Sequence, residues 1–256
     1  MAHATVVDVA VLRRRSHPHP RRGGCLVEVA STLPGGVWTD RPACVDPVLA
    51  AAARAVNDHT RSDVARRRLL VLAPWLVTGG RAGGDGTAAP LGGLAGRLVL
   101  GRVDGPTSAR VAASVATLQA APVQVRWPRW RRWRRWRRQR RAVGLVRLAA
   151  RVLSRGPDAD AALFALLAGA VNVTRDLDGL PPLDAAVASG EDLPQMLPVL
   201  VEVRAPDGAE SMYYHCTALT DRWPAPLRTA WQARMRELAA SSGVRPAATQ
   251  VGAHAL

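Results

Sequence analysis

Read by the spacing of its apolar positions, most of this chain divides into helix-sized blocks. Asp46 followed by Pro47 is a helix start, with the carboxylate as N-cap and the proline at the first helical position. The Ala-rich run Val48 to Val56 continues it, and Asn57-Asp58-His59 ends it. Ser62 caps a second block, Asp63 to Ala73, with Val64, Leu69, Leu70 and Leu72 as core candidates. Pro74 marks its end, although Trp75-Leu76-Val77 prolongs the apolar signal. Thr107 or Ser108 caps a third block through Leu118, with Val111, Val115 and Leu118 at helical spacing. In Val143 to Leu153, one face carries Leu145, Leu148, Ala149, Val152 and Leu153, while Arg147, Arg151 and Arg155 form another. Asp158 caps an apolar helix from Ala161 to Val171. Leu177 to Leu197 reads as short helices broken by Pro181, Pro182 and Pro194. A last helix, Pro226 to Ala240, places Leu227, Trp231, Met235 and Leu238 on one face.

One stretch departs from the helical period. Val199-Leu200-Val201-Glu202-Val203 and Ser211-Met212-Tyr213-Tyr214-His215 flank Pro206-Asp207-Gly208, which predicts a β-hairpin near residues 199–215. The expected fold class is mainly α, a packed helical domain of about five to seven helices with that hairpin attached.

The punctuation between blocks sets the organisation. Residues 1–24 hold the apolar stretch Val6 to Leu12, then Arg13-Arg14-Arg15, a His-Pro-His-Pro run and Arg21-Arg22-Gly23-Gly24. Pro18 and Pro20 block regular structure, and the segment reads as a mobile N-terminal arm. His17 and His19, alternating with proline, fit a solvated linker better than a metal tract. Gly79 to Gly93 carries a cluster of glycines and reads as a loop. The helical domain is expected over 25–242, with the loop at 79–93 and an Arg/Trp-rich segment at 126–141, followed by a loose tail at 243–256.

Length and composition narrow the class. A chain of 256 residues suits one domain or two small ones, with ample material for a core. No run of 18 uncharged apolar residues occurs, which argues against a membrane-spanning helix. The first residues lack a long apolar region with a small-residue cleavage site, so no secretory signal is expected. Three cysteines cannot all pair within the chain, which argues against a disulfide scaffold and for a cytoplasmic protein.

Net charge is +15, and all 35 basic residues are arginine because the chain has no lysine. Isoleucine is absent too, a usage that codon bias in a very GC-rich genome produces without selection on chemistry. Ten of the arginines lie in residues 126–141, which hold no acid; 15 less 10 leaves +5 for the remainder, ordinary for a soluble domain.

Three blocks carry a resemblance. They are Cys25-Leu26-Val27-Glu28-Val29-Ala30-Ser31, then Trp38-Thr39-Asp40-Arg41-Pro42-Ala43-Cys44-Val45-Asp46-Pro47-Val48-Leu49, then Arg54-Ala55-Val56-Asn57-Asp58. Their order resembles a group of uncharacterised, helix-rich actinobacterial proteins sharing C-L-x-E-x-A-S, W-[ST]-D-x-P-x-C-x-x-P-[VL]-L and R-x-x-N-D. The match covers residues 25–78, with a fainter echo at Arg141 to Leu145 and at Arg151 to Leu153. It implies no activity. Relatives carry histidine around the second cysteine, where this chain has Arg41 and Asp46. The nearest approach to a metal set is Cys25, Cys44 and His59, with Asp46 as a fourth. Zinc needs three or four sulfur or imidazole ligands held tetrahedrally, so no metal is predicted and buried structural thiols are expected instead.

The loudest feature is Arg126, Trp127, Arg129, Trp130, Arg131, Arg132, Trp133, Arg134, Arg135, Trp136, Arg137 and Arg138. Tryptophan recurs every third residue. At about 100° per residue, four indoles would sweep about half of a helix surface. Like charges three and four apart oppose helix formation, so the segment alone is expected to be extended or marginally helical in water. Three partners fit. In nucleic acid, guanidinium groups fork onto phosphates and indoles stack on unpaired bases. On an anionic membrane surface, tryptophan favours the interface and arginine the headgroups. An acidic protein surface is the third. If about five phosphates were met, binding would fall with salt at a log–log slope of roughly −4 to −5. A fourth account needs no partner: Trp-Arg-Arg repeats in tandem, as a nine-base repeat would encode, and could expand in a tolerated surface element.

Catalytic arrangements fare worse. Cys216 adjoins His215, but neighbours in a strand point to opposite faces. Cys25 with His59 and Asp58 or Asp40 would have to be assembled by folding. The run Gly79 to Gly86 lacks the lysine of a phosphate-binding loop and the spacing of a dinucleotide fold. Asp176 and Asp178 beside Gly179 read as a solvated turn, and Trp223 and Trp231 as core aromatics. The expected protein is non-catalytic, without a cofactor. It contacts nucleic acid or, alternatively, an anionic membrane through the Arg/Trp-rich segment; a Cys/His-dependent enzyme or metal site is the distant third. Nothing in the pattern fixes an oligomeric state.

Overall fold

The computed structural model describes residues 3–9, 11–33, 37–77, 86–120, 128–189, 199–204 and 210–215. Within them the chain is mainly helical. The α-helices are α1 (Leu26–Thr32), α2 (Pro47–His59), α3 (Asp63–Arg68), α4 (Ala88–Leu100), α5 (Gly105–Gln119), α6 (Pro128–Leu153), α7 (Ala159–Leu177) and α8 (Ala185–Ser189). The strands are β1 (His3–Val9), β2 (Val199–Arg204) and β3 (Glu210–His215). Five long helices make the body, and α1, α3 and α8 are short.

The start of α2 follows its sequence. Asp46 Oδ1 accepts from the amides of Val48 (2.8 Å) and Leu49 (3.1 Å), with Pro47 at the first turn. Ser62 Oγ caps α3 by accepting from Ala65 N at 3.1 Å. The α-helix then stops at Arg68, and Leu69–Leu76 continues as a 3-10 run whose residues are all buried, Pro74 included. Pro74 lies inside this run and contributes no amide hydrogen to it. Val64, expected in the core, is exposed, whereas Leu69, Leu70 and Leu72 are fully buried. Every residue of α1 is buried too, and α1 lies against the 69–76 run at the centre of the core. Around them pack α2, α4, α6 and α7.

The loop expected over 79–93 is partly helix, since α4 already begins at Ala88. Two glycines of α4 are packing positions. A Cβ on Gly92 would stand 2.4 Å from Leu118 Cδ1, and one on Gly96 2.2 Å from Val115 Cγ2, so α5 approaches α4 over bare backbone. Helix α5 starts at Gly105, with Asp104 at its N-cap and Pro106 in its first turn, ahead of the caps expected at Thr107 or Ser108. Val111, Val115 and Leu118 are its buried residues, as their spacing predicts. Asp158 occupies the N-cap of α7 but makes no side-chain cap bond. Gly179, at φ +67°, ends α7, with Leu180 N donating to Arg175 O at 2.8 Å.

The expected hairpin is present as β2 and β3, paired antiparallel from Val199↔His215 to Arg204↔Glu210. A third strand was not expected. β1 pairs antiparallel with β2, from His3↔Arg204 to Val9↔Val199, with a register shift between Val6 and Asp8. The sheet order is β1-β2-β3. The N-terminal stretch expected as part of a mobile arm is thus drawn in by strand pairing.

Residues 11–24 are fastened as well. Arg13 N donates to Gly24 O (2.9 Å) and Gly24 N to Val11 O (3.1 Å), which clips the two ends of the arch together. Gly23 has φ +79°, and a Cβ there would stand 2.6 Å from Val11 O. Among the hydrogen bonds that hold the crown of the arch to the body, three reach α1 and α2. Glu28 Oε1 accepts from His17 N (2.8 Å), Asp58 Oδ1 from Arg15 N (2.7 Å), and Asn57 Nδ2 donates to Arg13 O (2.7 Å). The Pro-rich composition gives no hint of these partners, because they belong to α1 and α2. The expected helix at Pro226 to Ala240 and the tail at 243–256 lie outside the described residues.

Candidate functional site

From Pro128 onward, the Arg/Trp-rich segment forms the N-terminal half of α6. That helix has 26 residues and runs without interruption from Pro128 to Leu153. Residues 128–141 are therefore helical, against the expectation of an extended or marginally helical segment. Three causes act together. Proline suits the first helical position. Arginine has good helix propensity. The C-terminal half packs into the core, so the exposed half needs only propagation from an existing helix and no new nucleus.

The two halves divide at Ala142. Ala142, Leu145, Val146, Ala149, Ala150 and Leu153 are buried, and they pack chiefly against α4 and α2. Before Ala142, no described side chain of α6 is fully buried. Trp130, Trp133 and Trp136 are 55%, 42% and 49% exposed. Exposure on that scale for large indoles is unusual, since such side chains normally hide their apolar body. Arg132, Arg134 and Arg137 are exposed, and Arg135 is half-buried. Arg126 and Trp127 lie outside the described residues, as do the side chains of Arg129 and Arg131.

The exposed half is internally ordered. Trp130 and Trp133 meet edge to face, with ring centroids 5.5 Å apart and planes at 81°. The Arg137 guanidinium lies over the Trp133 ring at 4.4 Å, and Arg140 over Trp136 at 4.7 Å. Each is an i,i+4 cation–π pair, worth about 0.5–1 kcal/mol at an exposed site and opposing the like-charge repulsion. Arg138 has a different task. Its guanidinium donates to Leu118 O (2.5 Å) and Ala120 O (3.3 Å), so it neutralises the carbonyl end of α5. Of the residues expected to meet an anionic partner, Arg138 is thus a structural clamp.

Arg140, outside the expected set, belongs to the ordered array, and so in position do Arg147 and Arg151 further along. The signal was their phase. At about 100° per residue, Trp130, Trp133, Trp136, Arg137, Arg140, Arg147 and Arg151 all fall within a sector about 120° wide. The buried residues of α6 occupy the opposite side.

Cys25, Cys44 and His59 do not assemble into a site. Among the described residues, no group of three His, Cys, Asp or Glu side chains is placed to hold a metal ion. Cys25 is the N-cap of α1, buried beside Glu28, whose Oε2 accepts from Cys25 N at 2.7 Å. Burial, reinforced by the Glu28 carboxylate, pushes the Cys25 thiol up to about 12. It stays protonated at neutral pH, the opposite of what a nucleophile needs. Burial also raises the Cys44 thiol and lowers His59 below its ordinary range despite the nearby Asp58. Neither Cys25 nor Cys44 is in a disulfide. His215 closes β3, and Cys216 lies outside the described residues.

No described helix is long and apolar enough to cross a membrane. No protein-family model matches this chain, and neither a curated protein nor a solved structure matches it.

Proposed function

We propose that this is a non-catalytic, cytoplasmic protein that contacts nucleic acid through the exposed half of α6. The observation carrying this reading is the set of three half-exposed indoles held among guanidinium groups on a preformed helix. Indoles give unpaired bases a stacking surface worth about 1–3 kcal/mol per base, and guanidinium groups meet the phosphates between them. Ordering the array before binding lowers the entropy lost on association. The protonated Cys25 thiol weighs against a cysteine-dependent enzyme. Thiols outside disulfides suit a reducing compartment.

The test replaces Trp127, Trp130, Trp133 and Trp136 with Ala and measures binding of a single-stranded oligonucleotide and of anionic phospholipid vesicles. Loss of two contacts worth about 1–3 kcal/mol each should weaken oligonucleotide binding at least tenfold. The circular dichroism spectrum should change little, because the three described indoles support none of the core. Vesicle binding without oligonucleotide binding would instead assign the face to a membrane surface. Absence of both would leave the tandem repeat as a tolerated expansion.

A further inference from the structure

The exposed face of α6 does not end where the tryptophans end. Arg147 and Arg151 continue it in phase, and Arg155 follows just past the helix; all three are exposed. The opposite face of this half is what packs into the core, so these three arginines point away from the domain. Their surroundings add positive charge. Arg147 is close enough to Arg54 of α2, itself near Arg41, for the charges to repel, and Arg151 and Arg14 act on His59 in the same way. Acids stand nearby: Asp40 near Arg54, Asp58 near His59, and Asp160, which accepts from the amide of Arg61, whose side chain donates to Ser154 O next to Arg155. Asp58 is already engaged by the amide of Arg15, and the Asp40 carboxylate faces Arg41 at 4.0 Å. No described ion pair joins Arg147, Arg151 or Arg155 to an acid. A row of guanidinium groups kept on one exposed face matches an extended polyanion in sign and in shape.

We infer that single-stranded nucleic acid lies along the whole exposed face of α6, with bases stacked on the Trp130–Trp136 end and phosphates on Arg147, Arg151 and Arg155. This rests on the nucleic-acid reading above and specifies its footprint. The 26 residues of α6 span about 38 Å. At about 3.4 Å per stacked nucleotide, that length accommodates roughly 11 nucleotides. The two ends contribute differently. The tryptophan end supplies salt-resistant stacking, and the arginine end supplies affinity that depends on salt and is indifferent to sequence.

Oligonucleotide length separates the two ends. The full chain and its R147Q/R151Q/R155Q variant are titrated with oligothymidylates of about 6 and about 20 nucleotides. Glutamine keeps helix propensity, so the fold should hold, as circular dichroism would check. For the longer strand the variant should lose about tenfold in affinity at low salt. Its log–log salt slope should shrink by about 2, the share of three phosphates at 0.7 each. For the shorter strand it should match the parent. A variant that matches the parent on both lengths, or loses equally on both, overturns the extended footprint. If the tryptophan variant still weakens binding in that case, the nucleic-acid reading survives. If the parent binds neither strand, or binds only anionic vesicles, both fall together.

Discussion

Gly96 and Gly144 lie in two packed helices and face opposite surroundings. A Cβ on Gly96 would meet Val115 Cγ2 at 2.2 Å, whereas one on Gly144 would meet nothing within 4 Å. Gly96→Ala should therefore destabilise the protein by about 1–3 kcal/mol through overpacking between α4 and α5. Gly144→Ala should stabilise it by about 0.8–1 kcal/mol, the ordinary helix gain. Urea melts of the two variants check the opposite signs. Glu28 is a second telling residue. It is 2% exposed and takes the amides of both Cys25 and His17. Removing it in Glu28→Ala strands two amides and should cost about 2–4 kcal/mol. Cleavage by protease within 13–24 should rise with it, because one anchor of the arch is gone. The sequence showed Glu28 only as a letter in a motif; its acceptor role depends on His17, eleven residues earlier, folding back over α1.

At the scale of elements, what could be read depended on where each element's partners lie. The start of α2 was legible because Asp46, Pro47 and the amides they serve are neighbours in the chain. So was the buried face of α6 from Leu145 to Leu153, since 3.6-residue periodicity is local. The helical state of residues 128–141 was not, because it is propagated from a half that packs against α2 and α4. Nor was β1, whose partner strand begins at Val199, about three quarters of the chain length away.

The junction of α7 with α3 is similar. Asp160 accepts from Arg61 N (2.7 Å), Ser62 Oγ (2.9 Å) and Ser62 N (3.2 Å). Burial alone would raise its pKa, but these hydrogen bonds outweigh it and hold the carboxyl below its ordinary range. The unfolded carboxyl titrates near about 3.9, so the junction's contribution is complete above that pH. It is lost as pH falls through the lower native value. Acid-induced unfolding of Asp160→Asn should show a smaller loss of stability in that window than the parent, from a lower starting stability. Identical acid profiles would contradict the role given to this carboxylate.

For the molecule as a whole, the arrangement separates a core that uses little charge from one long helix that concentrates it. The core draws on α1, the 69–76 run and the inner faces of α2, α4, α6 and α7. Among the described residues, the one buried guanidinium is that of Arg66, which donates to Thr60 O (2.7 Å), Asn57 O (3.3 Å) and the Asp63 carboxylate. Net charge alone could not reveal this division, because arginine is spread along the chain by composition. What distinguishes α6 is the phase that keeps tryptophan and arginine together on the face left over from packing. The measurement that tests this most directly is the affinity of the full chain for a single-stranded oligonucleotide of about 20 residues between about 50 and 200 mM salt. The account predicts measurable binding whose logarithm falls linearly with that of salt, with a slope of about −3 to −4, the share of five phosphates on a single strand. Binding too weak to detect at the lowest salt, or an affinity that salt leaves unchanged, would contradict it.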